Sequence, residues 1–409
     1  MASKTTEPSS SAASRSRARR NVLLLATCQA LNGTSVAATF LAIALVGNTL
    51  ADDKSLMTLP GALQFVAAMV TALPASFYMR RFGRQLGFMT GAMIACIGAL
   101  ICTYAIFQRS FVGFCLGAAL LGSFNAFAQY LRFAAVDVSE PDFRPKAISF
   151  VLAGGVVSAV TGPILGEHTR DIFAPVQYAG IFLSLAAIYL LIIALMIFVR
   201  FPRRPAVERH ETGRPLRQIA RQPAFLVAVV GASAAYATMM LLMTVAPPAM
   251  VDCGFTFTDT AWMMTGHTLG MFVPSFITGH LIKRFGVINV MVTGAALFAG
   301  TITVSLAGVG LVHFFLGMTL LGIGWNFLFV GGTALLTEIH TPAEAAKVQG
   351  LNEFVMWTSV TIAVFASGAL QAELGWTFVN IGVVPLVGLA LAATLWIKFR
   401  GQKERTGSP

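Results

Sequence analysis

A carboxylate, Glu353, lies well inside the apolar run "VQGLNEFVMWTSV". Arg132 in "AQYLRFAAVD" and His267 in "MTGHTLGMFV" are two more ionisable groups among apolar neighbours. If such runs cross a membrane, a charge within them is expensive and marks a functional position that needs a partner. Glu353 has two readings. It pairs structurally with a basic group, or it exchanges a proton or holds a solute. Arg132, five residues before Asp137, either snorkels to the interface or lines a cavity. His267 either satisfies a contact between helices or serves a proton path, for which an imidazole is suited.

Neutral groups extend the set. Gln29 and Asn32 are three residues apart and share a helical face, with Gly33 beside them. Asn125 and Gln129 are one helical turn apart, and Trp325 and Asn326 are adjacent. Such side chains suit a central cavity, and they suit hydrogen bonds between helices equally well. Trp325 and Trp357 lie deep enough in their runs to stack on a flat ring. Trp262 stands at the end of a run, as an interfacial anchor does.

The elements that position these residues follow from composition. The 409 residues are 56% hydrophobic and only 11% charged, with a mean hydropathy of +0.76. Soluble domains carry roughly 25% charged residues. Apolar runs of about 20 residues recur, each long enough to cross a bilayer as a helix. In lipid the backbone must satisfy its own hydrogen bonds, which selects helices over open sheet. The pattern predicts an all-α integral membrane protein with 12 spans: 22–46, 57–79, 86–107, 111–133, 148–167, 176–199, 225–251, 261–282, 288–308, 312–337, 346–370 and 376–397. The polar stretch 200–222 separates two sets of six. The expected organisation is a disordered tail (1–20), a six-helix half (21–199), a linker (200–224), a second six-helix half (225–398) and a short tail (399–409).

Charge predicts orientation. With both termini on one side, the loops of that side hold 25 of the 28 Lys and Arg, leaving only Lys54, Arg109 and Arg170 opposite. Cytoplasmic loops collect basic residues, so both termini are expected in the cytoplasm. Insertion topology accounts for the net charge of +11 better than affinity for nucleic acid does. The N-terminal segment is basic like a signal peptide, but the apolar run behind it is too long and no cleavage site follows. Four of the five cysteines fall inside spans and Cys253 has no loop partner, so no disulfide framework is expected. Gly154-Gly155 and Gly331-Gly332 lack the Lys-Ser/Thr of a phosphate loop. Neither a cofactor nor a metal cluster is expected, and an ATP-driven pump or an enzyme is not the expectation.

The chain also repeats itself. "RRFGRQLGFMTGA" from Arg80 returns as "KRFGVINVMVTGA" from Lys283, 203 residues later. "FCLGAALLGSFNAF" from Phe114 returns as "FFLGMTLLGIGWNF" from Phe314, and Pro141 and Lys146 return as Pro342 and Lys347. Six spans repeated with one topology give two pseudo-symmetric bundles about an axis along the membrane normal.

On these motifs the chain resembles the major facilitator superfamily over nearly its whole length. The loop after span 2 in that family commonly reads G-x-x-x-D-[RK]-x-G-[RK]. Here Ser76, Arg80, Arg81, Gly83 and Arg84 take those places, and Gly279, Lys283, Arg284, Gly286 and Val287 take them in the second copy. The acidic place is basic in both. A second family motif, G-P-x-x-G, stands in span 5 from Gly162 to Gly166. A family arginine early in span 4, linked to proton coupling, is replaced by glycine at Gly113 and Gly117. Three further stretches, "YLRFAAVD", "HTLGMFVPSFITG" and "GLNEF", are similar to bacterial riboflavin importers of the facilitator type.

The resemblance implies a secondary transporter of the bacterial inner membrane, acting by alternating access as a monomer on a small organic solute. Riboflavin or a similar aromatic compound is the implied solute. With the span 4 arginine missing, proton coupling does not carry over from the family, and protons stay a candidate partner. Proton-coupled export is the alternative, followed by a receptor or scaffold without transport. In relatives the acidic residue of the loop helps hold the cytoplasmic side shut. With the sign reversed here, Arg80, Arg81, Lys283 and Arg284 are expected to meet acids of the next loops, among them Asp137, Glu140, Asp142, Glu338 and Glu344. The plain alternative is that these bases only direct insertion.

Overall fold

The protein is described by a computed structural model covering residues 9–53, 56–201 and 213–406. The expected tail 1–20, up to residue 8, and residues 202–212 of the expected linker lie outside the described residues. Spans 1 to 3 are the helices Ser9–Leu50, Leu59–Phe82 and Arg84–Phe107. Span 4 is Phe111–Gln129, continued after a break at Tyr130 by Leu131–Asp137. Spans 5 to 7 are Arg144–Thr169, Ala179–Phe198 and Pro223–Asp252. Span 8 is two pieces, Phe257–Phe272 and Ser275–Phe285, and spans 9 and 10 are Val287–Ala307 and Leu311–Glu338. Helix Ala345–Gly382 holds span 11 and leaves helical geometry at Gly375, where span 12 begins; Val384–Thr406 completes it.

Among the described residues, ten helices are long and apolar enough to cross a membrane by length and composition. Span 8 differs from the continuous helix expected at 261–282. Pro274 has no N–H and interrupts the ladder, so its pieces of 16 and 11 residues are each short of a full crossing. The first helix begins at Ser9, inside the segment expected to be a tail. Its "SAASRSRARR" run is rich in Ala and Arg, strong helix formers that prolong span 1.

The two halves pack alike. Span 1 lies against 5, 2 against 4, 3 against 4 and 6 in the first half. Span 7 lies against 11, 8 against 10, 9 against 10 and 12 in the second. Across the halves, span 2 packs on 11 and span 8 on 5, again a symmetric pair. Glycines set the closest approaches. A Cβ on Gly122 would lie 2.2 Å from the Gln64 carbonyl oxygen, and one on Gly322 would lie 2.4 Å from that of His267. These are equivalent points of the 2–4 and 8–10 crossings. Valine at either position therefore forces backbone apart; we expect Gly122→Val and Gly322→Val each to cost at least about 1–3 kcal/mol. Thermal melting of the purified variants checks this.

The repeated Phe-Gly loops close spans 2 and 8 in the same way. Gly83 (φ +93°) and Gly286 (φ +83°) take the conformation that favours glycine. Their N–H groups donate to the Met79 and Ile282 carbonyls at 2.8 and 2.9 Å. Arg81 and Arg284 then rest over Phe82 and Phe285, both at 5.3 Å.

Candidate functional site

The break at Tyr130 builds the site. The Tyr130 hydroxyl donates to the Ala72 carbonyl of span 2 at 2.7 Å and fixes the turn. The short helix that follows holds Arg132 in the interior, 1% exposed, rather than at the interface. Its Nη2 donates to Glu353 Oε1 of span 11 at 2.5 Å, and Glu353 is itself fully buried. This ion pair joins the two halves. Asn352 Nδ2 donates to the same carboxylate oxygen at 2.9 Å. Arg132 Nη1 donates to Gln129 Oε1, and Gln129 Nε2 donates to the Tyr236 hydroxyl of span 7 at 3.1 Å. The guanidinium also lies 4.1 Å from the centre of the Phe329 ring and 4.7 Å from that of Phe133, where a cation is attracted by the ring faces.

An aromatic cluster stands on this pair. Trp325 stacks on Phe329 with centroids 4.8 Å apart, and Tyr236 meets Trp325 and Phe329 edge-on at 5.3 and 5.1 Å. Trp357, one turn beyond Glu353, lies 6.2 Å from Tyr236 and 6.3 Å from Phe65. Both indole Nε1 atoms, Arg132 Nε and Glu353 Oε2 are buried without a hydrogen-bond partner in the protein. Buried donors and acceptors are normally satisfied. Four such atoms belong to this one group of side chains, which draws on both halves.

The other sequence-chosen residues fall elsewhere. Asn326 is fully buried behind the cluster and serves the break in span 8. Its Nδ2 donates to the Met271 carbonyl at 2.7 Å and to Ser275 Oγ at 2.6 Å, while its Oδ1 accepts from Thr278 at 2.6 Å. His267 is also fully buried, and its Nδ1 donates to the Met318 carbonyl of span 10 at 2.8 Å. In this state both residues hold spans 8 and 10 together. Asn32 is buried with its Oδ1 unpartnered, and Gln29 and Asn125 are half-buried. Among the span 1 hydroxyls, Thr34 meets Thr161 of span 5 at 2.6 Å, a contact between helices. Trp262 is 63% exposed, as an interfacial anchor would be.

The end of the bundle where helix Ser9–Leu50 begins and helix Val384–Thr406 ends is sealed between the halves. Ser76 Oγ donates to the Ala346 carbonyl at 2.6 Å, joining spans 2 and 11. The backbones of Gly279 and Lys146 meet at the equivalent crossing of spans 8 and 5, where a Cβ on the glycine would lie 2.8 Å from Lys146 Cα. Arg84 donates to Asp137 at 2.8 Å and to Gln349 Oε1 across the halves at 2.9 Å. Lys283 approaches Asp142 across the halves at 3.9 Å, and both are well exposed. Glu344 is taken by Arg214 of the linker in a two-point contact at 2.8 Å. Arg214 and backbone N–H groups hold the Glu344 carboxyl far below the ordinary carboxylate range. Sequence reasoning missed Tyr236, Phe329, Arg84, Gln349 and Arg214. A lone hydroxyl-bearing ring in "GASAAYATMM" was the available signal for Tyr236.

His340 adds a pH dependence to the seal. Its Nε2 lies 3.3 Å from Gln349 Nε2, next to the Arg84–Asp137 pair. Burial pushes its imidazole below the ordinary histidine range, against the pull of the Thr341 carbonyl, Asp137 and Glu344. The folded, sealed form therefore disfavours the imidazolium. Its stability is full above the ordinary histidine pKa of about 6.5 and declines as pH falls below it. Thermal melting between pH 7.5 and 5 should show this decline, and His340→Asn should lessen it.

The model of the Major Facilitator Superfamily matches residues 24–245 and 227–409. The chain is 41% identical over 376 residues to the Riboflavin transporter RfnT of Brucella anthropi, covering 91% of this chain and 94% of that one. It is 27% identical to YddS of Bacillus subtilis, an uncharacterized MFS-type transporter, over 95% of this chain and 92% of that one. The fold matches the transporter FucP in its outward conformation, with TM-score 0.74, 15% identity and 92% and 98% of the two chains covered. It also matches the proton:xylose symporter XylE, with TM-score 0.76, 12% identity and coverage of 94% and 95%. The chain belongs to the Major Facilitator Superfamily and is a secondary transporter.

Proposed function

We propose that this transporter takes up riboflavin, or an aromatic solute of the same shape, across the bacterial inner membrane. The observation that carries the reading is the cluster of Trp325, Tyr236 and Trp357, with two unpartnered indole N–H groups beside the Arg132–Glu353 pair. Stacked rings and fixed donors suit a flat, polar heterocycle. The 41% identity to a riboflavin transporter over 91% of the chain supports the same solute. Gln129 and Asn32 of the first half supply further polar contacts in this reading. Both termini face the cytoplasm, so the sealed end is the cytoplasmic one and the solute enters from outside. The halves then rock about the midplane site. For the cytoplasmic side to open, Ser76–Ala346, Arg84–Gln349 and Arg132–Glu353 must part. Lys283–Asp142 is a pair of the sign-reversed gate, and as an exposed pair it contributes no more than about 1 kcal/mol.

Two experiments bear on this reading. Expression in a riboflavin-auxotrophic bacterium without its own importer should restore growth on low external riboflavin. No growth, with the protein present in the membrane, removes flavin uptake. A cysteine at position 210, which lies outside the described residues, should resist a membrane-impermeant reagent in intact cells if the linker is cytoplasmic. Ready labelling reverses the orientation and turns import into export.

A further inference from the structure

We infer that Arg132 and Glu353 together read an imide edge, an adjacent carbonyl and N–H on a flat ring. The inference rests on the flavin reading above and deepens it. The ion pair is one-sided: Arg132 Nη2 reaches Glu353 Oε1 at 2.5 Å, while Arg132 Nε and Glu353 Oε2 have no partner in the protein. In a guanidinium, Nε–H and Nη2–H point along one common edge, the edge that usually grips both oxygens of a carboxylate. Here that edge makes only one of its two contacts. A free donor and a free acceptor are left on the same pair, both in a fully buried place.

The remaining groups are already committed. Arg132 Nη1 is held by Gln129, and Glu353 Oε1 also accepts from Asn352. Phe329 backs the guanidinium at 4.1 Å, and Trp325 stacks with Phe329 at 4.8 Å. The pair is thus fixed in orientation beside the aromatic cluster. A guest that satisfies Nε–H and Oε2 together needs an acceptor and a donor side by side. A carbonyl next to a ring N–H fits that demand. An ester, an ether or a carboxylate supplies the acceptor and lacks the donor. The imide of an isoalloxazine ring has both, on a plane that the indoles can cover. The assignment also ties binding to transport, because the same two side chains close the halves on each other.

The test uses the full-length protein in detergent micelles and two fluorescent probes, riboflavin and 3-methylriboflavin, whose imide N–H is replaced by N–CH3. Quenching of flavin fluorescence reports binding. Wild type should bind the methylated probe at least about tenfold more weakly, since a hydrogen bond to a charged group is lost. Arg132→Lys keeps the positive charge and loses the planar edge; Glu353→Gln keeps the shape and loses the charged acceptor. In both, the preference for riboflavin should shrink by at least about threefold, with folding followed by gel filtration and melting. Equal binding of the two probes by wild type overturns the imide assignment and leaves flavin uptake standing. A preference that persists unchanged in whichever variants fold also overturns it, because the methyl group is then rejected elsewhere. If neither probe binds to wild type, the flavin reading falls and this inference falls with it.

Discussion

Arg132→Ala should abolish transport and lower the folded yield sharply. The substitution leaves the Glu353 carboxylate fully buried beside Asn352, with its charged partner gone. Breaking a buried pair from one side costs about 3–5 kcal/mol, a large share of a domain's stability. The single change also removes the guanidinium from Phe329 and the donor from Gln129. The double variant Arg132→Met with Glu353→Leu separates structure from function. Replacing both charges by apolar groups of similar volume is often neutral or stabilising. That variant should regain yield and melting temperature and still fail to transport. If it transports at the wild-type rate, the pair is only a structural contact between spans 4 and 11. Glu353→Gln asks the narrower question of coupling. Loss of accumulation with preserved solute exchange would make Glu353 the proton carrier, and full accumulation at normal expression would remove it from the mechanism.

The second large effect is expected at Trp325, which is 1% exposed and touches Phe329, Tyr236 and Phe272. Trp325→Ala removes a ring from the middle of the cluster and should cost about 3–5 kcal/mol through the cavity it leaves. Uptake should vanish with it. Trp325→Phe keeps a stacking face and discards the indole N–H. It should fold nearly as well as wild type and lose about tenfold in uptake, the size of one hydrogen bond to the solute. Comparing uptake per folded molecule for the two variants divides packing from recognition. Equal uptake by Trp325→Phe and wild type would place the solute elsewhere.

Much of this architecture is legible in the sequence, because it depends on local properties. Long apolar runs fix the helices, and the repeat predicts that the two halves pack alike. The glycine at the close of each Phe-Gly loop is readable too, since Gly83 and Gly286 need positive φ. Breaks within spans are harder to read. Tyr130 bends span 4 through a hydroxyl bond to Ala72, and nothing local in "NAFAQYLRF" announces it. Pro274 does announce a break, but Asn326 reveals its service to that break only when span 10 is set against span 8. For the same reason the Asn326 amide, chosen from sequence as a solute contact, is occupied by helix carbonyls and hydroxyls. Arg132 and Glu353 each stand out as single costly charges. Their pairing is invisible in the sequence, because 221 residues separate them and the contact exists only where the halves meet. The charged loops mislead in a different way. Several bases and acids lie near one another, and geometry selects Arg84 for Asp137 and Arg214 for Glu344.

The central claim is that this chain alone moves riboflavin by alternating access through the cluster between its halves. Counterflow in proteoliposomes tests it most directly. Purified protein is reconstituted with unlabelled riboflavin inside, and trace labelled riboflavin is added outside without ATP. Labelled riboflavin should enter transiently above its equilibrium level, and the Trp325→Ala and Arg132→Met/Glu353→Leu variants should give no overshoot. Uptake no greater than that of protein-free liposomes, from wild-type protein that remains folded by gel filtration, would contradict the claim.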